Sequence, residues 1–176
     1  MAAEVETYTK FEGLENRLAR VYTRFQKRFE NQPELSQFWA GVALDEMEHS
    51  SMLRLCRQRG RPSTHSVAES VYKFIDILIE SVESISEKPD LTVAEAFYAA
   101  LLMEASELDD VYAQLIHGWL PDQLAAREAL KEVMEANLRA HHERFAEAAD
   151  RFLPDPAFGM AFRNLSKKHN PRQMAC

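Results

Sequence analysis

The sequence predicts an all-α fold, in which four main helices form a bundle and a fifth helix crosses over between the second and the third. Three observations indicate this fold. The chain of 176 residues has only 5 glycines and 7 prolines, and it is rich in strong helix formers such as alanine, leucine and glutamate. Apolar residues recur every three or four positions along five segments, the spacing of an amphipathic helix. The links between these segments are short except for one, and their lengths constrain the packing.

The first two predicted helices form an antiparallel hairpin. The first covers about residues 7–29, and the second begins near Pro33, a favourable first-turn residue, and ends before Gly60. The link at residues 30–32 is short, which favours antiparallel neighbours. The apolar stripe consists of Phe11, Leu14, Leu18, Tyr22, Phe25 and Phe29 in the first helix, and of Leu35, Trp39, Val42, Leu53 and Cys56 in the second.

The third and fourth bundle helices form a second predicted hairpin. The third opens with Thr92 and Glu95, which have the spacing of a capping box, and ends at His117. The fourth follows Pro121 and ends at Leu153, and the short link between the two again favours antiparallel packing. The apolar stripe consists of Val93, Phe97, Ala100, Leu108, Val111 and Leu115 in the third helix, and of Leu130, Met134, Leu138, Phe145, Ala148 and Phe152 in the fourth.

A crossover helix is predicted at about residues 66–86, where Ser66 and Glu69 have the spacing of another capping box. A helix of this size spans roughly 30 Å, close to the length of the bundle, so it can return the chain and make the second and third bundle helices parallel. One long crossover between two helical hairpins is the ferritin-like arrangement. We therefore expect residues 1–153 to form a ferritin-like four-helix bundle, and residues 154–176 a packing segment with a loose end.

Composition and charge exclude several classes of function. The formal net charge of −7 and the lack of a basic patch argue against nucleic acid as a partner. No apolar run approaches the roughly 20 residues of a membrane span, and residues 1–8 contain no apolar core of a signal peptide. Cys56 and Cys176 form neither a CxxC motif nor a disulfide framework. We therefore expect a cytoplasmic protein that binds neither membranes nor nucleic acid.

Ionisable residues interrupt the inward faces of all four bundle helices. Glu46 and His49 form a Glu-x-x-His unit within the stripe of the second helix, so both side chains project from one face. Burying one unpaired carboxylate costs several kcal/mol, and several in one core would repel one another unless a cation binds them. Carboxylates with imidazoles suit iron, manganese or zinc. The candidate ligands are Glu15, Glu46, His49, Glu104, Glu107 and His141.

Each candidate taken alone also has an ordinary explanation. Glu15 could face solvent with Glu12 as its inward competitor, Glu107 could lie at the bundle edge beside a cation, and His141 could bond a backbone carbonyl. The combination of four helices that each contribute a candidate at mid-length favours a metal site. The rotation of the fourth helix stays open, because one stripe through Leu138 selects His141 and another selects His142.

The segments around these candidates resemble the rubrerythrin branch of the ferritin-like superfamily. Glu15 is followed seven residues later by Tyr22, as in the first helix of that family, and residues 46–49 read Glu-Met-Glu-His. Residues 104–107 read Glu-Ala-Ser-Glu, which looks like the paired glutamates that separate rubrerythrins from ordinary ferritins. Residues 141–145 are similar to the stretch around the second Glu-x-x-His of the family. The resemblance covers residues 7–153.

The sequence departs from this family in two respects. Three residues before its histidine the second motif needs a glutamate that bridges the two metals, but the chain has Leu138 before His141 and Arg139 before His142. Glu135 could partly replace it, because it lies two helical turns from His142 on the same face. The CxxC pairs of a rubredoxin-like domain are also missing, so any redox chemistry would need an external electron donor.

The resemblance implies a diiron oxidoreductase that reduces peroxide or dioxygen, or a ferroxidase. Glu15, Glu46, His49 and Glu104 would hold one iron ion, and Glu107 and His141 would complete a second, weaker position. Tyr22 could hydrogen-bond near the site or be an ordinary core residue. The alternative is a degenerate bundle with one metal or none, which acts as a structural or interaction protein. A homodimer is expected, since dimers are common among related bundles.

Overall fold

The computed structural model describes residues 2–58, 67–106, 108–119 and 124–168, and every regular element in these ranges is a helix. The all-α class is therefore confirmed for this part of the chain. No helix in it is both long enough and apolar enough to cross a membrane. The helices are α1 (Ala2–Arg28), α2 (Pro33–Gln58), α3 (Glu69–Ser86), α4 (Val93–Glu104), α5 (Leu108–Trp119), α6 (Leu124–Phe152) and α7 (Ala157–Lys168).

Helices α1 and α2 pack against each other extensively, as the short link between them predicts. The backbone N–H of Gln32 donates to the carbonyl of Phe29 at 2.8 Å, which closes the tight connection. The hydroxyl of Ser36, in the first turn of α2, donates to the carbonyl of Gln26 at 3.1 Å and ties the two helix ends together. The hairpin buries large side chains from both helices in one core.

Helix α3 packs against α1 and α4 and so connects the two halves of the chain. Its buried face consists of Ile75, Ile79 and Val82. The residue before its first turn is Ala68, which makes no side-chain cap, so the predicted capping box with Ser66 at the N-cap was wrong; Ser66 itself lies outside the described residues. The helix is held instead by its apolar face and by polar contacts to α1, such as Arg17 with Glu83.

The third predicted helix is interrupted, so the prediction of one continuous helix over about residues 92–117 was wrong. Helix α4 ends at Glu104, and α5 begins at Leu108. The physical reason is a competing local hydrogen bond: the backbone N–H of Leu108, the first residue of α5, donates to the hydroxyl of Ser106 at 3.2 Å, which is an alternative to a helical backbone bond. The break therefore lies directly beside a candidate ligand.

The predicted capping box at the start of α4 is confirmed. The backbone N–H of Glu95 donates to the hydroxyl of Thr92 at 3.2 Å, and the N–H of Thr92 donates to the Glu95 carboxylate at 2.9 Å. These reciprocal bonds satisfy backbone donors that the first turn of a helix leaves unpaired.

Helix α7 packs against α6 and α4. Its Phe162 is fully buried, and the ring stacks on Phe145 of α6 with centroids 4.8 Å apart. The C-terminal segment thus adds an aromatic side chain to the core. Residues 169–176, which include the expected loose end, lie outside the described residues.

An aromatic layer fills one part of the core. The ring of Trp39 lies 4.9 Å from that of Phe25 and 5.1 Å from that of Phe97, and Phe38 stacks on Phe97 at 5.6 Å. Such ring contacts add to the burial of large apolar surfaces. We call this set the aromatic cluster: Tyr22, Phe25, Phe38, Trp39, Phe97, Phe145 and Phe162.

An ionisable layer lies next to the aromatic cluster, at the same spacing along three of the helices. Seven residues, or roughly 10 Å of helix, separate Tyr22 from the Glu15 of α1, Trp39 from the Glu46 of α2, and Phe97 from the Glu104 of α4. The aromatic residue precedes the carboxylate in α2 and α4, whereas it follows the ionisable residue in α1 and in α6, where Phe145 follows His141. Relative to the two layers, α2 and α4 therefore run in one direction, and α1 and α6 run in the other.

Candidate metal centre

The ionisable layer contains two groups of possible metal ligands that share Glu46. One group consists of Glu15, Glu46 and His49, and the other of Glu46, Glu104 and His141. Within each group, one ligand atom from every residue lies within 4.8 Å of the others. We call these residues, together with the neighbouring His142, the polar cluster. Because the two groups share this carboxylate, they lie next to each other.

The helical positions of these side chains explain why they converge. Glu46 and His49 are three residues apart on α2, so they lie on the same face of that helix. Glu104 is the last residue of α4, and Glu15 and His141 come from the middle of α1 and the second half of α6. All of these side chains are buried except that of His49, which is 15% exposed.

The first group is centred on the imidazole of His49. Its Nδ1 atom lies 3.3 Å from Oε2 of Glu46 and 3.9 Å from Oε2 of Glu15. The ring also lies 4.3 Å from that of Tyr112, on α5, and this contact helps to position the imidazole. Two carboxylates and one imidazole at these distances form a donor set that iron, manganese or zinc accepts.

The second group is centred on the carboxylate of Glu104. Its Oε2 atom lies 3.0 Å from Nε2 of His141 and 3.5 Å from Nε2 of His142. The hydroxyl of Tyr22 donates to the other oxygen, Oε1, at 2.9 Å. Tyr22 therefore belongs to both layers, since its ring also stacks on Trp39 with centroids 5.7 Å apart. Both alternatives that the sequence left open for Tyr22 are realised together.

A carboxylate orients His141 from outside the group. The Nδ1 atom of His141 lies 3.1 Å from Oδ2 of Asp45, and the Arg144 guanidinium donates to the same oxygen. Metal-binding histidines commonly donate their second ring N–H to a carboxylate, which fixes the tautomer and leaves the other nitrogen as a ligand. The sequence did not identify Asp45 as part of the site. Asp45 directly precedes Glu46 in the chain, but this position does not indicate a contact with His141 of α6.

The electrostatics of the second group are those of a buried ion pair. Burial alone raises the pKa of Glu104, but the charges and hydrogen bonds of His141 and His142 outweigh it and hold that pKa well below its ordinary range. Burial lowers the pKa of His141, but the Glu104 charge and the hydrogen bond to Asp45 raise it well above the ordinary range. Burial likewise raises the pKa of Asp45, and the interactions with His141 and Arg144 bring it below its usual value.

The competition between Glu12 and Glu15 on α1 is resolved by the contacts of each. Glu12 pairs with Arg54 at 2.8 Å and with Arg57 at 3.0 Å, along the contact between α1 and α2. Glu15 has no exposed surface and lies beside His49 instead. Glu15 is thus the glutamate of α1 that faces the core.

The remaining candidates divide into three cases. His141 and His142 are both buried, so the two stripes proposed for α6 both point inward, although only His141 belongs to a ligand group. Glu135 is half-buried and belongs to neither group, and the expected bridging position holds the buried Leu138. Glu107 lies outside the described residues.

The structure also changes the expected grouping of Glu104. The sequence analysis placed Glu104 at the same metal position as Glu15 and His49, whereas the structure groups it with His141.

A cleft of about 280 Å³ reaches the polar cluster from the surface. It lies between α2, α5 and α6, and one histidine from each ligand group lines it, together with Tyr112, Leu138 and Arg144. A small molecule in this cleft would therefore contact both positions of the candidate centre.

Comparison with protein-family models, with curated proteins and with solved structures found no match to this chain. The candidate centre is therefore interpreted from its own geometry.

Proposed function

We propose that this chain is a ferritin-like four-helix-bundle protein that binds two iron ions in the polar cluster and reduces peroxide or dioxygen, or oxidises ferrous iron. The observation that carries the proposal is the position of Glu46, whose carboxylate lies within reach of the ligand atoms of both groups. A shared carboxylate between two donor sets is the feature that distinguishes a dinuclear site from two unrelated polar contacts.

The order and directions of the helices support the ferritin-like part of the proposal. Helices α1 and α2 form one hairpin, and α3 lies along α1 and reaches α4. In the aromatic and ionisable layers α2 and α4 run in the same direction, as the long crossover between two hairpins requires. Helix α5 would then continue the third bundle helix beyond its break, and α6 would be the fourth.

The donor set fits two divalent cations, with one position incomplete. Three carboxylates and two imidazoles are available, and Glu46 can bridge. A complete site of this type uses a glutamate from each of two helices and Glu-x-x-His from each of the other two. This chain has every member of that set except the glutamate at position 138. Manganese or zinc would accept the same donors.

The residues around the proposed centre would support this chemistry. Two bound iron ions supply one electron each, which is what the two-electron reduction of peroxide requires. Asp45 holds the His141 ring in place, and Tyr22 donates to Glu104 and keeps its carboxylate oriented. The cleft would admit a small oxidant. Within this proposal the electrons for turnover come from a separate donor, and the chain forms a homodimer.

A second candidate function is a metal-free scaffold, and one observation favours it. Glu104 receives hydrogen bonds or charge from His141, His142 and Tyr22, and Asp45 with Arg144 completes the network. A buried carboxylate with these partners does not need a cation for its charge to be satisfied. Arg17 of α1 does not belong to this network, since it pairs with Asp76 and Glu83 of α3.

Metal analysis of variants separates the two functions. Protein purified without chelator, loaded with ferrous iron under anaerobic conditions and desalted, should hold two metal ions per chain. Glu46→Gln keeps the side-chain volume but should lose both ions, because the residue is shared. Glu15→Gln and Glu104→Gln should each lose one. Glu143→Gln, an exposed change on α6, is the control and should keep two.

Other results contradict the proposal in distinct ways. A wild-type protein that holds no metal after anaerobic loading supports the scaffold. One ion that depends on Glu15 and Glu46 but not on Glu104 indicates a single structural metal. A loaded protein that holds two ions but consumes neither peroxide nor dioxygen contradicts the oxidoreductase assignment and leaves the metal site standing.

A further inference from the structure

The cleft beside the polar cluster opens on the side of α6 where a metal ligand is missing. Leu138 precedes His141 by three residues, so the two side chains lie on the same face of α6. Both line the cleft, and so does His49 of the other ligand group. A complete dinuclear site has a glutamate at the position of Leu138. Because a leucine side chain offers no ligand atom, this face of the candidate centre lacks one donor.

The charges of the proposed centre are unbalanced by one unit. Two divalent cations bring four positive charges, and the glutamates of the two groups, Glu15, Glu46 and Glu104, offset three of them. The ligand histidines are neutral when they bind a metal. A fourth carboxylate would complete the balance, and in a buried site an uncompensated charge is costly. A monoanion is therefore favoured over a neutral ligand at the missing ligand position next to Leu138.

Two carboxylates of the chain, Asp45 and Glu48, also line this cleft, but neither belongs to a ligand group. Asp45 is held by the ring of His141 and by the Arg144 guanidinium. Glu48 lies on the exposed side of α2, away from the buried ligands. Arg144, which pairs with Asp45, also lines the cleft. A carboxylate from outside the chain would therefore enter a cleft that contains a cationic side chain.

We propose that a small monocarboxylate of the size of formate or acetate binds in this cleft and supplies the ligand that Leu138 does not. The inference rests on the proposed function, since it requires metal in the polar cluster. The cleft volume of about 280 Å³ admits an anion of a few heavy atoms with its hydration water. The ligand that completes the centre therefore belongs to the small carboxylic acids.

The test measures metal affinity as a function of the anion. Ferrous iron is titrated anaerobically by equilibrium dialysis, in a buffer without carboxylates and at constant ionic strength. Millimolar acetate should tighten binding of the second ion by about tenfold or more. Acetamide, a neutral molecule of the same shape, should have no effect. Because this series uses the wild-type protein, it does not depend on whether a variant folds.

Substitution at position 138 provides an independent test. Leu138→Glu should bind the second ion tightly without acetate, because the ligand is now part of the chain, and acetate should no longer change its affinity. Leu138→Met keeps an apolar side chain of similar volume and should retain the acetate effect. The far-ultraviolet circular dichroism of each variant reports whether the helices are intact.

Three results overturn the inference. If two ions bind with an affinity that acetate and acetamide change equally or not at all, the inference fails and the metal centre stands. If Glu48→Gln removes the second ion in the absence of acetate, the chain supplies its own fourth carboxylate. If no ion binds under any condition, both the inference and the proposed function fail.

Discussion

The aromatic and polar clusters occupy neighbouring layers of one core and are built from many of the same helices. In the aromatic cluster, large rings from α1, α2, α4, α6 and α7 contact one another, and the partners are interchangeable within limits of volume. In the polar cluster each side chain depends on particular atoms of its neighbours, such as Glu104 on His141. The aromatic layer therefore stabilises the fold without any ligand, whereas the polar layer is stable only when each charge is matched.

The two layers therefore contribute differently to the stability of the fold and to the proposed metal binding. Burying apolar rings is favourable in itself, at about 25 cal/mol per Å² of apolar surface. A buried ion pair roughly cancels its own desolvation cost and is weak evidence for a stabilising role. The buried carboxylates and histidines therefore add little to stability in themselves, which agrees with the binding role that we propose for them.

Trp39→Ala should destabilise the protein by about 3–5 kcal/mol, because the side chain is fully buried and leaves a large cavity. Urea unfolding followed by circular dichroism gives the change in unfolding free energy, and the loss should be the same with iron and with chelator. Tyr98→Ala, at a ring that is 51% exposed, is the control and should cost far less. A loss at Trp39 that depends on metal would mean that the two layers are not independent.

Tyr22→Phe should destabilise the chelated protein by about 2 kcal/mol, because it removes a hydrogen bond to the charged Glu104 while the ring contacts stay. The matched control is Tyr8→Phe, which removes a buried hydroxyl that donates to the neutral carbonyl of Leu115 at 3.2 Å, and it should cost about 1 kcal/mol. Equal losses in the two variants would contradict the assignment of a negative charge to Glu104.

Arg17→Gln should lower the unfolding free energy by up to about 1 kcal/mol at neutral pH, since its pairs with α3 are partly exposed. The hydrogen bond from Arg17 outweighs burial and lowers the pKa of Glu83 from its ordinary 4.5. This contribution is therefore present above that ordinary pKa and lost as the pH falls through the lower folded pKa. Stability curves of the wild type and the variant should converge in acid, and curves that stay parallel would contradict the pairing.

The same experiment separates the surface from the polar cluster. Arg24→Gln, at a more exposed pair with Glu87, is the control and should change stability less. Any loss of stability in acid that the wild type and Arg17→Gln share must come from other carboxylates. The buried Glu104 is the first of these to examine.

Local features of the sequence were enough to predict the helices and several of their ends. The apolar spacing placed the ends of α2 and α6 within a few residues, and Thr92 with Glu95 marked the start of α4. Helix α1 ends near the predicted position but begins at Ala2, about five residues before its predicted start. The break after Glu104 was not predicted, because the neighbouring residues in the sequence do not show whether the hydroxyl of Ser106 accepts a backbone hydrogen bond. The bond from the N–H of Leu108 to this hydroxyl is known only from the folded structure.

The candidate site was predictable as a set of residues but not as an arrangement. Periodicity put Glu46 and His49 on one inward face, and their role as metal ligands stays a prediction. It did not reveal that Asp45 reaches His141, because the two residues are 96 positions apart and meet only through the packing of α2 on α6. The same limit applies to the choice between His141 and His142, which are both buried.

The helical character of the chain and the apolar or ionisable positions along each helix can be predicted from the sequence, because both follow from local propensity and a period of 3.6 residues. Only the packing of the helices shows that Glu46 belongs to both ligand groups, that Glu104 faces His141 and that the cleft opens beside Leu138. These relations depend on the rotation and separation of helices that are distant in the chain. A periodic pattern leaves that rotation free over tens of degrees, and such a difference decides which atoms meet.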